Sequence, residues 1–138
     1  MEEIRPRDVF FAFSFRGCRP GSLVAQVSEK ELGDIFEKMV KDAGFTPAAR
    51  YLKIYPNADG VAGKGGYTAE ITLEESSANV YTWPEDGDAV GDIFYCNYER
   101  DNSDKFKKLY TALCQFFNPQ EVETFGPFRI YRRKQTPM

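Results

Sequence analysis

The sequence contains no histidine. That absence removes the Ser-His and Cys-His pairs of ordinary nucleophilic catalysis, together with the commonest metal ligand. Cysteine is scarce as well. Cys18, Cys96 and Cys114 are odd in number and lack Cys-x-x-Cys spacing, which predicts reduced thiols and neither a disulfide framework nor a zinc site. Positive charge is not in excess: the net charge of −3 gives no electrostatic footprint for nucleic acid or an anionic membrane. No segment approaches the roughly 20 apolar residues of a membrane span. The opening MEEIRPRDVFF lacks the basic-then-apolar order of a secretory leader, so a cytoplasmic location is expected.

What the chain does have is enough apolar material for a core. With 138 residues, 42% of them hydrophobic, residues 1–138 are expected to form a single domain that needs neither disulfide nor metal support. DVFFAFSFR (8–16) reads as a buried strand, and Gly17, Pro20 and Gly21 then break the chain. Ser28 followed by Glu31 forms a capping box that opens a helix. Leu32, Ile35, Phe36, Met39 and Val40 recur on its apolar face, and Gly44 is placed to end it.

ARYLKIY (49–55) alternates as a short strand. PNADGVAGKGG (56–66) reads as a flexible loop. Its Gly-Lys pair superficially resembles a phosphate-binding loop, but Ala58 and Gly65 stand where that motif requires Gly and Ser or Thr.

Three strand-like runs follow at 67–74, 77–83 and 89–98, then a helix from near Ser103 with Phe106, Leu109, Tyr110, Leu113 and Phe116/Phe117 on its apolar side. A last strand near 121–133 carries Arg129, Arg132, Arg133 and Lys134, a cluster suited either to an acidic ligand or to guarding an exposed sheet edge. Connections between the middle strands are too short for parallel crossovers. The predicted fold is therefore α+β, a two-layer sandwich of antiparallel β-sheet with two helices on one face.

Within that frame Glu74-Glu75-Ser76-Ser77 is unusual. It reads as a polar hairpin corner, or as the one place where a serine can react without a triad. There the hydroxyl attacks the preceding carbonyl, the Glu75–Ser76 amide becomes an ester, and elimination followed by hydrolysis leaves a pyruvoyl group in place of Ser76. Such a ketone forms a Schiff base with a substrate amine and draws off electrons during decarboxylation.

The residues from this step onward, ES-x4-YTWPE and then DIFYC, resemble the processing and active-site region of the bacterial-type S-adenosylmethionine decarboxylase proenzymes. In that family the segment runs Glu-Ser-His, His-Thr-Trp-Pro-Glu and Asp-(Ile/Leu/Val)-Phe-Thr-Cys, and the cysteine falls 96 − 76 = 20 residues after the serine here as there. Looser similarity extends over roughly residues 9–118, including a cysteine after the first strand, here Cys18.

The resemblance implies an antiparallel sheet with helices on one face, a pyruvoyl cofactor derived from Ser76, and a homodimer acting on S-adenosylmethionine for polyamine (spermidine) synthesis. It makes Glu75 the new C-terminus, Cys96 the donor that reprotonates the α-carbon, and Thr68 the hydroxyl that assists processing. Trp83 and Glu85 then help line a nucleoside pocket.

The chain departs from the family pattern at four places. Tyr81 replaces the histidine that drives elimination, Ser77 replaces the histidine after the serine, Ser14 replaces an acidic residue, and the first-strand histidine is missing. Tyrosine, with an ordinary pKa of about 10, is a poor neutral-pH base, so Tyr81 implies slow processing. Two other functions stay open. One is an unprocessed, silent relative that binds a nucleoside or partner protein, and the other is the same chemistry on arginine or ornithine.

Overall fold

The computed structural model describes residues 5–58, 61–62, 65–97 and 100–133. In chain order the elements are β1 (Asp8–Arg16), α1 (Pro20–Leu23), α2 (Glu29–Ala43), β2 (Pro47–Ile54), β3 (Asn57–Ala58), β4 (Val61–Ala62), β5 (Tyr67–Leu73), β6 (Ser76–Trp83), β7 (Asp88–Cys96), α3 (Ser103–Phe117) and β8 (Glu121–Ile130). Six of the strands form one sheet in the order β2-β5-β6-β7-β1-β8, and every neighbouring pair is antiparallel. The α+β sandwich expected from the pattern is the one observed.

Two details go beyond that expectation. The short helix α1 follows β1, and within the stretch read as a flexible loop β3 pairs with β4. Residues 59–60 and 63–64 of that loop, with Lys64 of the Gly-Lys pair, lie outside the described residues, as does Lys134.

Local chemistry explains why α2 starts and stops where it does. Ser28 Oγ accepts a hydrogen bond from the Glu31 backbone N–H at 3.1 Å, which satisfies one of the orphan donors of α2. Gly44 ends that helix at φ 105°, a left-handed conformation that glycine adopts without a β-carbon clash. The inward stripe of α2 is Leu32, Phe36 and Val40, while Ile35 lies at the rim, 37% exposed. Helix α3 contributes Leu109, Leu113 and Phe117.

Between the layers, Val9, Phe11, Phe13 and Phe15 alternate inward along β1, and the three phenylalanines meet Phe106, Tyr110 and Phe117 of α3 in edge and tilted ring contacts of 5.0–6.0 Å. Cys18 is buried in this core and Cys114 packs against it, and no disulfide joins the cysteines. Both thiols are pushed up chiefly by burial, which suits packing rather than reactivity.

Helices cover only one face of the sheet. The other face carries Phe10, Tyr51, Trp83, Phe125, Phe128 and Ile130, all substantially exposed. Edge strand β8 bears Arg129, an arrangement that discourages edge-to-edge pairing.

Gly91 sits where β7 crosses under the Phe13 ring. A β-carbon there would lie 2.4 Å from the Asn79 carbonyl oxygen and 2.5 Å from Phe13 Cζ. Gly91→Ala is therefore expected to destabilise the fold by about 1–3 kcal/mol through overpacking, read as a lowered urea midpoint. An unchanged midpoint would show that the sheet and Phe13 give way freely.

Candidate active site

Strands β5 and β6 are joined by the shortest ordinary hairpin connection. Leu73 pairs with Ser76, leaving only Glu74 and Glu75 in the turn. A right-twisted hairpin of this length calls for a positive φ in the loop, normally supplied by Gly or Asn. Here Glu75 supplies it, at φ 59°. A residue with a β-carbon pays roughly 1–2 kcal/mol to sit there. The strained residue is the one immediately before Ser76.

Ser76 opens β6 with its side chain on the helix-covered face, in line with Ala78, Val80 and Thr82. It is 7% exposed, and its Oγ has no hydrogen-bond partner among the described residues. A buried hydroxyl left unbonded costs free energy and is uncommon in a folded core.

The intervening residues face the bare side. Thr68 of β5 pairs with Tyr81 of β6, and one row further along Glu70, Asn79 and Asp92 lie side by side across β5, β6 and β7. The Tyr81 hydroxyl donates to Glu70 Oε1 at 3.1 Å, and Asn79 Nδ2 donates to Asp92 Oδ1 at 3.0 Å. Burial, that hydrogen bond, and the charges of Glu70 and Asp92 all hold the Tyr81 phenol above its ordinary pKa. At neutral pH Tyr81 is therefore a neutral O–H donor. Thr68 Oγ1 is 3.5 Å from the Tyr55 hydroxyl, at the outer limit of a hydrogen bond.

Cys96 ends β7, opposite Asp8 of β1 and half-buried. Alternation along β7 puts its thiol on the same bare face as Asp92 and Phe94. In the TWPE motif Trp83 is 50% exposed on that face, and Glu85 is exposed in the turn beyond. Thr82 is structural: its Oγ1 accepts from the Tyr67 N–H at 2.8 Å and donates to the Leu23 carbonyl at 2.8 Å, tying β6 to α1.

The fold thus gathers Thr68, Tyr81, Trp83 and Cys96 on the bare face and turns the Ser76 hydroxyl to the other. No motif in the sequence singles out Glu70, Asn79 and Asp92. Each sits at an outward position of an alternating strand, but only the hairpin register brings them into one row. Among the described residues no cluster of three or more metal-ligating side chains is present.

The sequence profile of the S-adenosylmethionine decarboxylase family matches residues 13–129. The chain belongs to this family. It is 26% identical over 95 residues to the S-adenosylmethionine decarboxylase proenzyme of Persephonella marina, a match covering 68% of this chain and 62% of that relative. It is 33% identical over 70 residues to the proenzyme of the same name from Pyrobaculum neutrophilum, covering 50% and 53%. The matches to these two curated relatives thus span between half and two-thirds of their length. Among solved structures, the adenosylmethionine decarboxylase of Aquifex aeolicus superposes with a TM-score of 0.74 over 96% of this chain and 99% of that one, at 16% identity. That likeness shows the shared fold.

Asp92 offers a direct handle on the bare-face row. Burial raises its carboxyl above the ordinary aspartate value, the Asn79 hydrogen bond pulls it down, and Glu70 pushes it up again. The folded state therefore holds this proton more tightly than the unfolded chain does. Stability from this group is complete below the ordinary aspartate pKa and is lost as pH rises through the raised value. Asp92→Asn removes that loss, so its stability relative to the parent should be greater at about pH 7 than at about pH 3. Urea titrations at the two pH values read the difference, and an equal or reversed difference would assign the shift to another group.

Proposed function

We propose that the chain is the precursor of a pyruvoyl-dependent decarboxylase that cuts itself between Glu75 and Ser76 and then decarboxylates S-adenosylmethionine in the cytoplasm, feeding polyamine synthesis. One observation carries the reading. The peptide bond to be rearranged follows a residue held in a left-handed conformation, and the serine after it has a buried hydroxyl with no partner among the described residues. Strain at the acyl group and an uncommitted nucleophile are the two things an N-to-O acyl shift needs.

Those features fit the formation of a pyruvoyl group at position 76. When formed, that group supplies an electron sink for the carbon that loses carbon dioxide. The chain's own residues do the rest. Cys96 Sγ delivers the proton to the substrate α-carbon after carbon dioxide leaves, from the bare face of the sheet. Trp83 offers its exposed ring to the nucleoside base, and Glu85 stands beside it as a hydroxyl acceptor. Thr68 and Tyr81 line the same face, with the single Tyr81 O–H donated to Glu70 and the phenol oxygen left to accept.

The acidic row of Glu70 and Asp92 favours a cationic substrate. It is the reason to retain arginine and ornithine as a second reading beside the sulfonium compound. The raised Tyr81 phenol and the absence of imidazole favour a third, an unprocessed relative that keeps only binding.

Intact mass separates these readings. The parent of 15.8 kDa should convert into two chains split at Glu75–Ser76, while Ser76→Ala remains whole. Cys96→Ala should cleave as the parent does, yet release labelled carbon dioxide about a hundredfold more slowly or worse. A parent that stays full length on prolonged incubation leaves the binding-only reading standing. Carbon dioxide released only from arginine or ornithine would reassign the substrate.

The exposed apolar residues of the bare face, Phe10, Phe125, Phe128 and Ile130, support a second copy of this chain as their cover. Phe128→Asp is expected to convert a homodimer into a monomer in light scattering at micromolar concentration. A parent that is monomeric there would remove this assignment.

A further inference from the structure

A cavity of about 350 Å³ opens at the hairpin end of the sheet, on the helix-covered side. It is lined by Phe45 and Thr46 before β2, Glu74 and Glu75 of the turn, and Arg100, Asn102 and Lys105 around the start of α3. Asn102 is 9% exposed. Its amide Nδ2 donates to the Cys96 carbonyl at 2.6 Å, and its backbone N–H donates to Asn97 Oδ1 at 2.8 Å, so the side chain is fixed against the end of β7.

That anchoring leaves Asn102 Oδ1 without a partner. Among the buried side-chain nitrogen and oxygen atoms of the described residues it shares this condition with Ser76 Oγ alone. Continuing the pairing of Ser77 with Phe94 by one residue sets Ser76 beside Tyr95, next to the carbonyl that Asn102 grips. Both Ser76 and Tyr95 point into the helix layer, where the Tyr95 ring stacks on Phe106, one turn of α3 beyond Asn102. One orphan atom can donate a hydrogen bond and the other can only accept one. They are complementary, and they belong to the same corner of the molecule.

We infer that this cavity is the chamber in which self-cleavage is assisted. Asn102 Oδ1 receives the Ser76 hydroxyl as it turns onto the Glu75 carbonyl, and Arg100 with Lys105 receives the carboxylate that the reaction creates on Glu75. This rests on the self-processing reading above and assigns it residues outside the motif that suggested it.

The steps balance. Ser76 Oγ bonds to the Glu75 carbonyl carbon, the C–N bond breaks, and the hydroxyl proton ends on the Ser76 nitrogen. Water then takes the Ser76 α-proton, the electron pair left on Cα expels the ester oxygen from Cβ, and Glu75 is freed as an α-carboxylate. The enamine left at position 76 tautomerises, and one water hydrolyses it with release of ammonia. Asn102 serves the first step by orienting the hydroxyl. The two cations serve the second, because negative charge accumulates on the departing Glu75 carboxylate next to them. Neither Arg100 nor Lys105 has a carboxylate within ion-pair distance among the described residues, and Lys105 Nζ lies 5.9 Å from the centroid of the Phe45 ring, on the cavity wall.

Hydroxylamine, which cuts esters but not amides, separates the two steps in the purified full-length chain. Asn102→Ala should slow the appearance of both the hydroxylamine-sensitive ester and the cleaved chains by about tenfold or more. Asn102→Ser, which keeps a small acceptor, should recover part of that rate. The double variant Arg100→Ala/Lys105→Ala should form the ester at the parent rate but accumulate it, since elimination is the slowed step. Circular dichroism melts accompany each. If Asn102→Ala does not fold, the double variant carries the test, because Arg100 is exposed and Lys105 only half-buried. A parent that forms neither ester nor cleaved chain would overturn the self-processing reading itself. A parent that cleaves while all three variants match it, with no ester accumulating, would overturn this inference and leave that reading intact.

Discussion

A two-residue turn sets which face of the sheet each side chain of the central strands occupies. Because Leu73 pairs directly with Ser76, the register of β5 on β6 is fixed, and with it the face to which every later side chain points. In a sheet with period-two alternation, a slip of one residue would exchange the two faces. Ala78, Val80 and Thr82 would move to solvent, and Asn79 and Tyr81 would be buried under the helices without partners. The cost of burying those polar groups holds the register, and the register demands the left-handed Glu75. The strain beside Ser76 is thus set by the packing of the whole sheet, and local sequence preference alone would not place it there. A glycine would relieve it. That a glutamate stands there is a local inconsistency between residue and backbone, and the self-processing reading rests on it.

The architecture was largely legible in the sequence because each of its determinants is local. Val9, Phe11, Phe13 and Phe15 alternate within one strand, and Leu32, Phe36 and Val40 recur within one helix. Ser28 and Gly44 announce the ends of that helix in the same local way. Connections of a few residues then left antiparallel pairing as the natural arrangement for β5, β6 and β7.

The candidate site was legible only in part, since its two halves depend on different information. Ser76, Tyr81, Trp83 and Cys96 stand out along the chain because spacing is a sequence property. Glu70, Asn79 and Asp92 form a row only once three strands are in register, and nothing in the spacing of 70, 79 and 92 announces it. Asn102 was harder still. The role proposed for it rests on an unpaired atom, and which hydrogen bonds remain unmade depends on the complete packing around the start of α3.

A division of labour across the sheet follows from this geometry. The Ser76 hydroxyl points into the helix layer, whereas the thiol of Cys96 and the hydroxyl of Tyr81 belong to the bare face. A β-strand backbone lies in the plane between the faces, so the Ser76 backbone is reachable from both even though its side chain is not. On the self-processing reading, chemistry at the hydroxyl oxygen proceeds from the helix side, beside Asn102, Arg100 and Lys105. Chemistry on a substrate held at position 76 proceeds from the bare side, beside Cys96. A base on the bare face would be poorly directed for the first task, which lessens the consequence of having Tyr81, with its raised phenol, at that position. The missing imidazole then bears on how the Ser76 α-proton is removed, and far less on how the hydroxyl is presented to the carbonyl.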